Sequence, residues 1–207
     1  MKDQAAIDLA GLMGRAAGLL EQLSDIPQLD LTLDLRENTI ELKAPLGTPL
    51  GDARPAVDHV AEVLGAQAAL KTITHGVYSY SVHGDRDGVP VSALAVTPIN
   101  TSAASRGART TSATQTAAVL RELIPWTRAL DARTVQSFGV LDQTTTYLVQ
   151  IGISHPTDRA GAADAVFAGL PSTVDHQWHG SWGHALLPTG HTLNVFTTTN
   201  ARGGEFR

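Results

Sequence analysis

The side chains best suited to chemistry are concentrated in residues 175–191. Four of the eight histidines of the chain fall in this segment, together with two of its three tryptophans. These residues are His176, Trp178, His179, Trp182, His184 and His191. Two histidines and a carboxylate can ligate a metal ion. A sheet face that carries tryptophan and histidine also suits contact with a partner.

The choice between a metal site and a contact surface depends on strand geometry. In a regular strand, His176, Trp178, Trp182 and His184 share one face. His191, on the strand that follows, then approaches His184 across the hairpin. The sequence has no His-x-His and no His-Glu-x-x-His spacing, which are the stronger metal signals. We therefore expect these four residues to form a binding surface, with a metal site at His176, His184 and His191 as the alternative.

A second polar group surrounds a turn predicted at residues 84–88. His83 and Asp85 can form a general-base pair, because a carboxylate can orient an imidazole. Aspartate and glycine are also the residues that a tight turn requires, and the turn role is favoured here. Tyr78 and Tyr80, on the preceding predicted strand, are added to the candidate binding residues.

Asp58 and Glu62 are a third candidate group. They lie one turn apart on a predicted helix, as catalytic carboxylates can. With Arg54 four residues before Asp58, the same pattern is typical of a solvated helix face, which needs no catalytic role.

Residues 99–114 have no apolar periodicity and are predicted to form a polar linker. Arg106 and Arg109 stand among hydroxyl-bearing residues there. Two guanidinium groups can bind an anion, and the segment can fold over a site as a lid. A loop longer than about 12 residues is either functional or disordered. Arg106 and Arg109 are therefore candidate anion-binding residues.

Hydrophobic periodicity predicts the elements of the first half. Apolar residues at three- and four-residue steps predict a helix over residues 3–23. The alternating segment LDLTLDL and the apolar positions that follow predict a hairpin with one buried face. Asp52 is the predicted N-cap and Gly65 the C-terminal cap of a second helix. A longer hairpin is predicted over residues 71–98, with a bulge near Gly76.

The second half repeats this order. Ser112 or Thr114 is expected to cap a helix that Pro125 kinks or ends. A hairpin follows over residues 135–154 and a short Ala-rich helix over residues 158–169. A last hairpin spans residues 174–199 and folds back at residues 187–190.

The predicted fold class is α+β, with antiparallel β-hairpins alternating with helices. The (αββ) units repeat, which indicates a pseudo-twofold, two-half architecture with helices packed on one sheet face. The halves are residues 1–98 and 115–199, and a disordered tail covers residues 200–207. Internal duplication explains the repeated order, although capped Ala-rich helices also match by chance.

Composition excludes several functional classes. The chain has no cysteine, so thiolate metal sites and cysteine nucleophiles are excluded. A net charge of -5 with three lysines provides no basic surface for nucleic acid. No serine-nucleophile motif, dinucleotide-binding motif or P-loop is present. We expect no cofactor and no membrane partner, and the absence of a signal-peptide pattern favours the cytoplasm.

These observations favour a non-enzymatic binding or adaptor protein that presents a sheet face or edge to a protein partner, as chaperones and assembly factors do. Low charge and uncovered sheet edges also favour a homodimer, because a second protomer can cover an edge. One alternative is a histidine-based or metal-assisted hydrolase. The other is a structural component of a phage or other mobile-element particle, which would form closed oligomers.

Overall fold

The structure, a computed structural model, describes most of the chain. The described residues are 8–23, 26, 29–45, 48–74, 77–98, 112–128, 130, 135–142, 147–153, 164–168, 172–177, 180–186 and 192–199. The helices are α1 (Leu9–Gln22), α2 (Leu50–Leu64) and α3 (Ala113–Thr127), with a further helical turn at residues 164–167. The strands are β1 (Asp30–Asp34), β2 (Thr39–Lys43), β3 (Ala69–Thr74), β4 (Val77–Arg86), β5 (Val89–Pro98), β6 (Val135–Asp142), β7 (Tyr147–Ile153), β8 (Ser172–Gln177), β9 (Gly180–Leu186) and β10 (Thr192–Thr199). Among the described helices, none is long and apolar enough to cross a membrane.

The ten strands found among the described residues belong to one sheet, in the order β3-β4-β5-β2-β1-β6-β7-β10-β9-β8. Strands β1 and β6 pair antiparallel at its centre. Two pairings are parallel, β2 with β5 and β7 with β10, and the others are antiparallel. The predicted α+β class is confirmed, and the sheet is mixed because helical segments connect β2 to β5 and β7 to β10 through longer excursions.

One face of the sheet is apolar, and the opposite face carries polar residues on β1 and β2. Cross-strand partners form a continuous row on the apolar face, from Val82 through Ala93, Leu42, Leu31, Val140, Val149 and Val195 to Gly183. Helix α1 packs against α3, and α2 packs against β4 and β5, so that helices and sheet enclose one hydrophobic core. The intervening residues of β1 and β2, such as Thr32 and Glu41, are only half-buried. We call these two surfaces the helix face and the polar face.

Local sequence sets several element ends as predicted. Ser112 caps α3, and its backbone N–H donates to the Gln115 side chain at 2.8 Å, which completes a capping box. Gly65 ends α2 with φ 62°, a left-handed conformation that glycine adopts at little cost. Asp87 and Gly88 also have positive φ, 54° and 77°, which matches the two-residue turn of a twisted hairpin.

The prediction for the start of α2 is wrong. Helix α2 begins at Leu50 with Pro49 as its N-cap, and no side chain caps it. Asp52 instead lies in the first turn, where its charge is favourable near the N-terminal end of the helix dipole. Helix α3 ends at Thr127, two residues after Pro125, so the expected early end agrees with the structure, since proline removes a backbone donor from the last turn.

Both longer predicted hairpins contain an additional strand. The segment predicted as a hairpin over residues 71–98 forms β3, β4 and β5, and the segment over residues 174–199 forms β8, β9 and β10. A register shift in the β3–β4 pair lies between Thr72 and Thr74, whereas Gly76, where a bulge was expected, is outside the described residues. Alternation alone does not locate these breaks, because the sequences on either side of each turn have similar polarity.

Candidate functional site

The edge strand β3 carries the exposed large hydrophobic side chains of the described residues. All six residues of β3 are exposed, with Leu70 54% and Ile73 57% accessible. No described strand pairs with the outer side of β3. An edge strand presents backbone N–H and C=O groups on which another strand can add. We call Ala69–Thr74 the β3 edge, and it is the candidate functional site.

Register and helix placement together explain why Leu70 is uncovered. Leu70 lies opposite Tyr80, and Thr72 lies opposite Tyr78. Helix α2 packs over β4 and β5, and Tyr80 below it is 7% exposed. Leu70 lies on the same face of the sheet as Tyr80, but on the edge strand β3, which α2 does not cover. The register shift after Thr72 marks a bulge, which bends an edge strand and limits regular pairing.

A polar cluster of Arg54, Asp58 and Tyr80 borders the β3 edge. The Tyr80 hydroxyl donates a short hydrogen bond to Asp58 Oδ1, and Arg54 Nε lies 3.4 Å from Asp58 Oδ2. The Arg54 guanidinium carbon is 5.2 Å from the centre of the Tyr80 ring, within cation–π range. The hydrogen bond to Asp58, together with burial, raises the pKa of Tyr80. The phenol therefore stays neutral near neutral pH, and the cluster links α2 to β4 beside the edge.

The predicted tyrosines lie at this site in different environments. Tyr78 is half-buried on β4, opposite Thr72 of the β3 edge. Tyr80 is buried, and its hydroxyl is occupied by Asp58. Only Tyr78 therefore has surface left for a ligand. Glu62, one helical turn after Asp58, is exposed and takes no part in the described cluster.

The predicted histidine and tryptophan surface is divided by strand register. Trp182 and His184 occupy alternate positions of β9, and Trp182 lies opposite Asp175 of β8. His176 lies opposite Ser181, and Ser181 is on the opposite face of β9 from Trp182 and His184. Because opposite residues in an antiparallel pair share a face, His176 and His184 belong to different faces. The expected common face assumed one continuous strand, whereas the chain reverses direction between β8 and β9.

The position of Gly183 identifies these two faces. A Cβ atom on Gly183 would lie 2.5 Å from Cε1 of Phe167, a buried residue in the helical turn at residues 164–167. Gly183 is thus on the helix face, and His176 has a position of the same parity. Asp175 and His184 have positions on the polar face.

The remaining predicted site residues lie outside the described residues. They are Trp178, His179, His191, Arg106 and Arg109. Within the portion of the chain that is described, no group of three or more His, Asp or Glu residues is arranged to hold a metal ion.

The turn between β4 and β5 uses its aspartates structurally. Asp85 Oδ1 accepts a hydrogen bond from the Gly88 backbone N–H at 2.8 Å, and the Asp87 carbonyl accepts one from Arg15 of α1 at 2.6 Å. This is the turn role that the sequence favours. His83 is exposed.

Sequence reasoning missed the β3 edge itself. It placed residues 71–98 in one two-stranded hairpin and assigned no role to Leu70 or Ile73. A usable signal was present, because residues three apart cannot share one face of a regular strand. Leu70 and Ile73 therefore cannot both be buried by one-sided packing, and at least one must face outward or lie at a bulge.

No protein-family model and no curated protein matches this sequence. Among solved structures, the chain is similar to a glyoxalase/bleomycin resistance protein/dioxygenase from Nocardioides, at 13% identity and a TM-score of 0.19, over 81% of this chain and 87% of that one. It is also similar to a catechol 2,3-dioxygenase, at 12% identity and a TM-score of 0.23, over 95% of this chain and 87% of that one. Likenesses of this degree support neither a shared fold nor a shared activity.

Proposed function

We propose that this protein is a non-enzymatic binding protein that docks an extended segment of a protein partner on the β3 edge. The proposal depends on one observation: all six residues of β3 are exposed at a sheet end with no described neighbour, including Leu70 and Ile73. When a strand adds to an edge, main-chain hydrogen bonds supply affinity and alternate side chains supply specificity. The role is that of a cytoplasmic adaptor or assembly factor.

The two exposed apolar side chains set the scale of the interaction. Full burial of a leucine or isoleucine side chain is worth about 1.5–3 kcal/mol, and slightly more than half of Leu70 and Ile73 is available. A partner that covers both gains about 2–3 kcal/mol from apolar burial, before the entropic cost of association. Backbone pairing must supply the remainder, so the partner segment has to be extended.

The polar cluster next to the edge selects among partner side chains. A partner strand paired with β3 places a side chain next to Leu70 on the helix face. That side chain comes near Arg54 of α2, whose side chain is 62% exposed. Arg54 is paired with Asp58 and stacked on Tyr80, so it is already oriented. Apolar or polar neutral partner residues fit beside Arg54 better than a lysine or arginine, which would repel the guanidinium.

We also infer that the chain is an internal duplication, with a pseudo-twofold axis at the β1–β6 pair. The support is that the strands are paired in the same order on each side of the β1–β6 pair. Going outward, each side has an antiparallel hairpin, then a parallel pairing, then two further strands added antiparallel. Gly84 and Gly183 have equivalent register positions, each opposite a valine. A Cβ on either would contact the last residue of a helical segment, Leu64 or Phe167. The repeating unit is then αββαβββ rather than a pair of αββ units.

A displayed library of linear 12-residue peptides tests the binding proposal. We expect selection on the immobilised protein to enrich peptides with alternating apolar residues. Their affinity should fall about tenfold or more for the Leu70→Lys/Ile73→Lys variant, which corresponds to about 1.4 kcal/mol. Gln67→Lys is the matched control, because it adds a lysine at an exposed position just before β3. Peptides that bind the wild type and the double variant equally, or no enrichment at all, would refute the proposal.

A further inference from the structure

We propose that the segment docked on the β3 edge is strand β8 of a second copy of this chain, so that copies assemble head to tail through a continuous sheet. This inference rests on the proposed strand addition and names its partner. Strands β3 and β8 are the two ends of the ten-stranded sheet, and each spans six residues. One copy therefore carries both halves of the contact.

Strand directions allow this contact without rotating either copy. The parallel and antiparallel pairings, followed across the sheet from one end to the other, make β3 and β8 run in opposite directions. A copy displaced along the sheet thus presents β8 antiparallel to β3, with its helices on the same side. Each added copy leaves a β3 edge or a β8 edge that no described strand covers.

Face and charge select one register. Lys71 is the charged residue of β3, and it has a position on the polar face because it lies opposite Ser79 rather than Tyr80. Asp175 is the carboxylate of β8, and it also has a polar-face position. Directly opposite residues must share a face, so Lys71 of one copy can lie opposite Asp175 of the next. That arrangement places opposite charges together, which is the favourable cross-strand combination.

This register is one of two same-face registers that pair all four regular residues of β3, and the other places Lys71 opposite Thr173, without a pair of opposite charges. With Lys71 opposite Asp175, residues 69–72 of β3, which precede its bulge, pair with residues 177–174 of β8 over their whole length. Leu70 then lies opposite His176, and both have helix-face positions.

Pairing of β3 with β3 of a second copy is less favourable. In a dimer related by a twofold axis normal to the sheet, the helix faces of both copies lie on the same side only when the sequence numbers of paired residues differ by an even number. The four regular residues of β3 then overlap over three positions at most. One of these registers places Lys71 opposite Lys71, which is destabilising. A closed dimer through β3 alone is therefore disfavoured relative to the head-to-tail contact.

Engineered cysteines test the contact directly, because the native chain has none. Residues Ala69 and Gln177 are opposite in the proposed register, and Cα atoms of directly opposite residues lie about 4.5–5.5 Å apart, within disulfide range. We expect mild oxidation of the Ala69→Cys/Gln177→Cys variant to give a ladder of covalent oligomers on a non-reducing gel. Each single variant alone should stay monomeric, because in this register its cysteine lies opposite a native residue of the next copy. A double variant that stops at a dimer, or stays monomeric, would overturn the proposal.

Charge reversal provides a second, non-covalent measurement. Light scattering should show a mass that rises beyond a dimer with wild-type concentration. Lys71→Asp and Asp175→Lys should each weaken association roughly tenfold. An equimolar mixture of the two should recover it, because each β3 then meets a β8 of opposite charge. A mixture that associates no better than either single variant would exclude this register, and circular dichroism of each variant controls for folding.

The results separate this inference from the proposed function. If the wild type stays monomeric at all accessible concentrations while selected peptides still require Leu70 and Ile73, self-assembly is refuted and strand addition stands. If neither the peptides nor a second copy binds, both are refuted.

Discussion

Replacing Gly183 with alanine tests how the helical turn at residues 164–167 packs on the sheet. The new Cβ would lie 2.5 Å from Cε1 and 2.8 Å from Cδ1 of Phe167, whereas carbon atoms pack at about 3.5–4.0 Å. Phe167 is 4% exposed, so its ring must move by about 1 Å within a packed core to restore that separation. Overpacking of this kind costs about 1–3 kcal/mol. We expect the free energy of unfolding to fall by about 2 kcal/mol.

The equivalent glycine on the other side of the sheet should respond less. A Cβ on Gly84 would lie 3.1 Å from Cβ and 3.3 Å from Cδ1 of Leu64, and the neighbour needs to yield by only a few tenths of an ångström. We expect Gly84→Ala to cost less than about 1 kcal/mol, because the loss of glycine flexibility offsets part of the crowding. No atom of the described residues lies within 4 Å of a Cβ built on Gly18 of α1, and Gly18→Ala is the control, expected to stabilise by about 0.5–1 kcal/mol.

Urea unfolding followed by circular dichroism measures these differences. The decisive comparison is Gly183→Ala in the wild type and in a Phe167→Leu background, where the smaller side chain leaves room for the new methyl group. We expect the cost of Gly183→Ala to fall by at least half in that background, since the two residues are in contact. A cost below about 0.5 kcal/mol, or an equal cost in both backgrounds, would show that Phe167 does not pack on this glycine.

Three further changes probe the caps and polar contacts. Tyr80→Phe removes the hydroxyl that donates to Asp58 and should cost about 1 kcal/mol. Because this hydrogen bond raises the pKa of Tyr80, its stabilisation is present below a pH of about 10 and is lost as the pH rises through the raised pKa. Thermal melts should show this loss in the wild type and not in the Phe variant. Arg121→Ala removes a bidentate pair with Glu21, at 2.6 and 2.8 Å, and should lower the free energy of unfolding by less than about 1 kcal/mol, because the pair is exposed. The Arg121 hydrogen bond lowers the pKa of Glu21. Denaturant titrations should therefore show the loss of stability at neutral pH and no loss once the pH falls below the lowered pKa. Ser112→Ala removes the α3 cap and should cost about 1 kcal/mol in urea unfolding, and an unchanged stability would contradict the observed capping box.

Predictions from the sequence were most reliable where one residue and its near neighbours decide the conformation. The alternation of Leu31 and Leu33 with polar residues placed β1 correctly, because a strand exposes successive side chains to opposite faces. Gly65 and Ser112 marked helix ends for equally local reasons. Asp52 shows the limit of such reasoning. Several residues before α2 can begin a helix, and the packing of α2 on β4 and β5 selects among them.

By itself the sequence determined the α+β class, the first hairpin, the main helices and the turn at Asp87 and Gly88. Only the tertiary structure decided the strand order, the additional strands β3 and β8, and which surface is exposed. The physical reason is that pairing between β1 and β6, or between β2 and β5, joins residues far apart in the chain, and no local pattern encodes that choice. Leu70 illustrates the difference. Its apolar character is visible in the sequence, but its exposure depends on α2 ending its cover one strand short of the sheet edge.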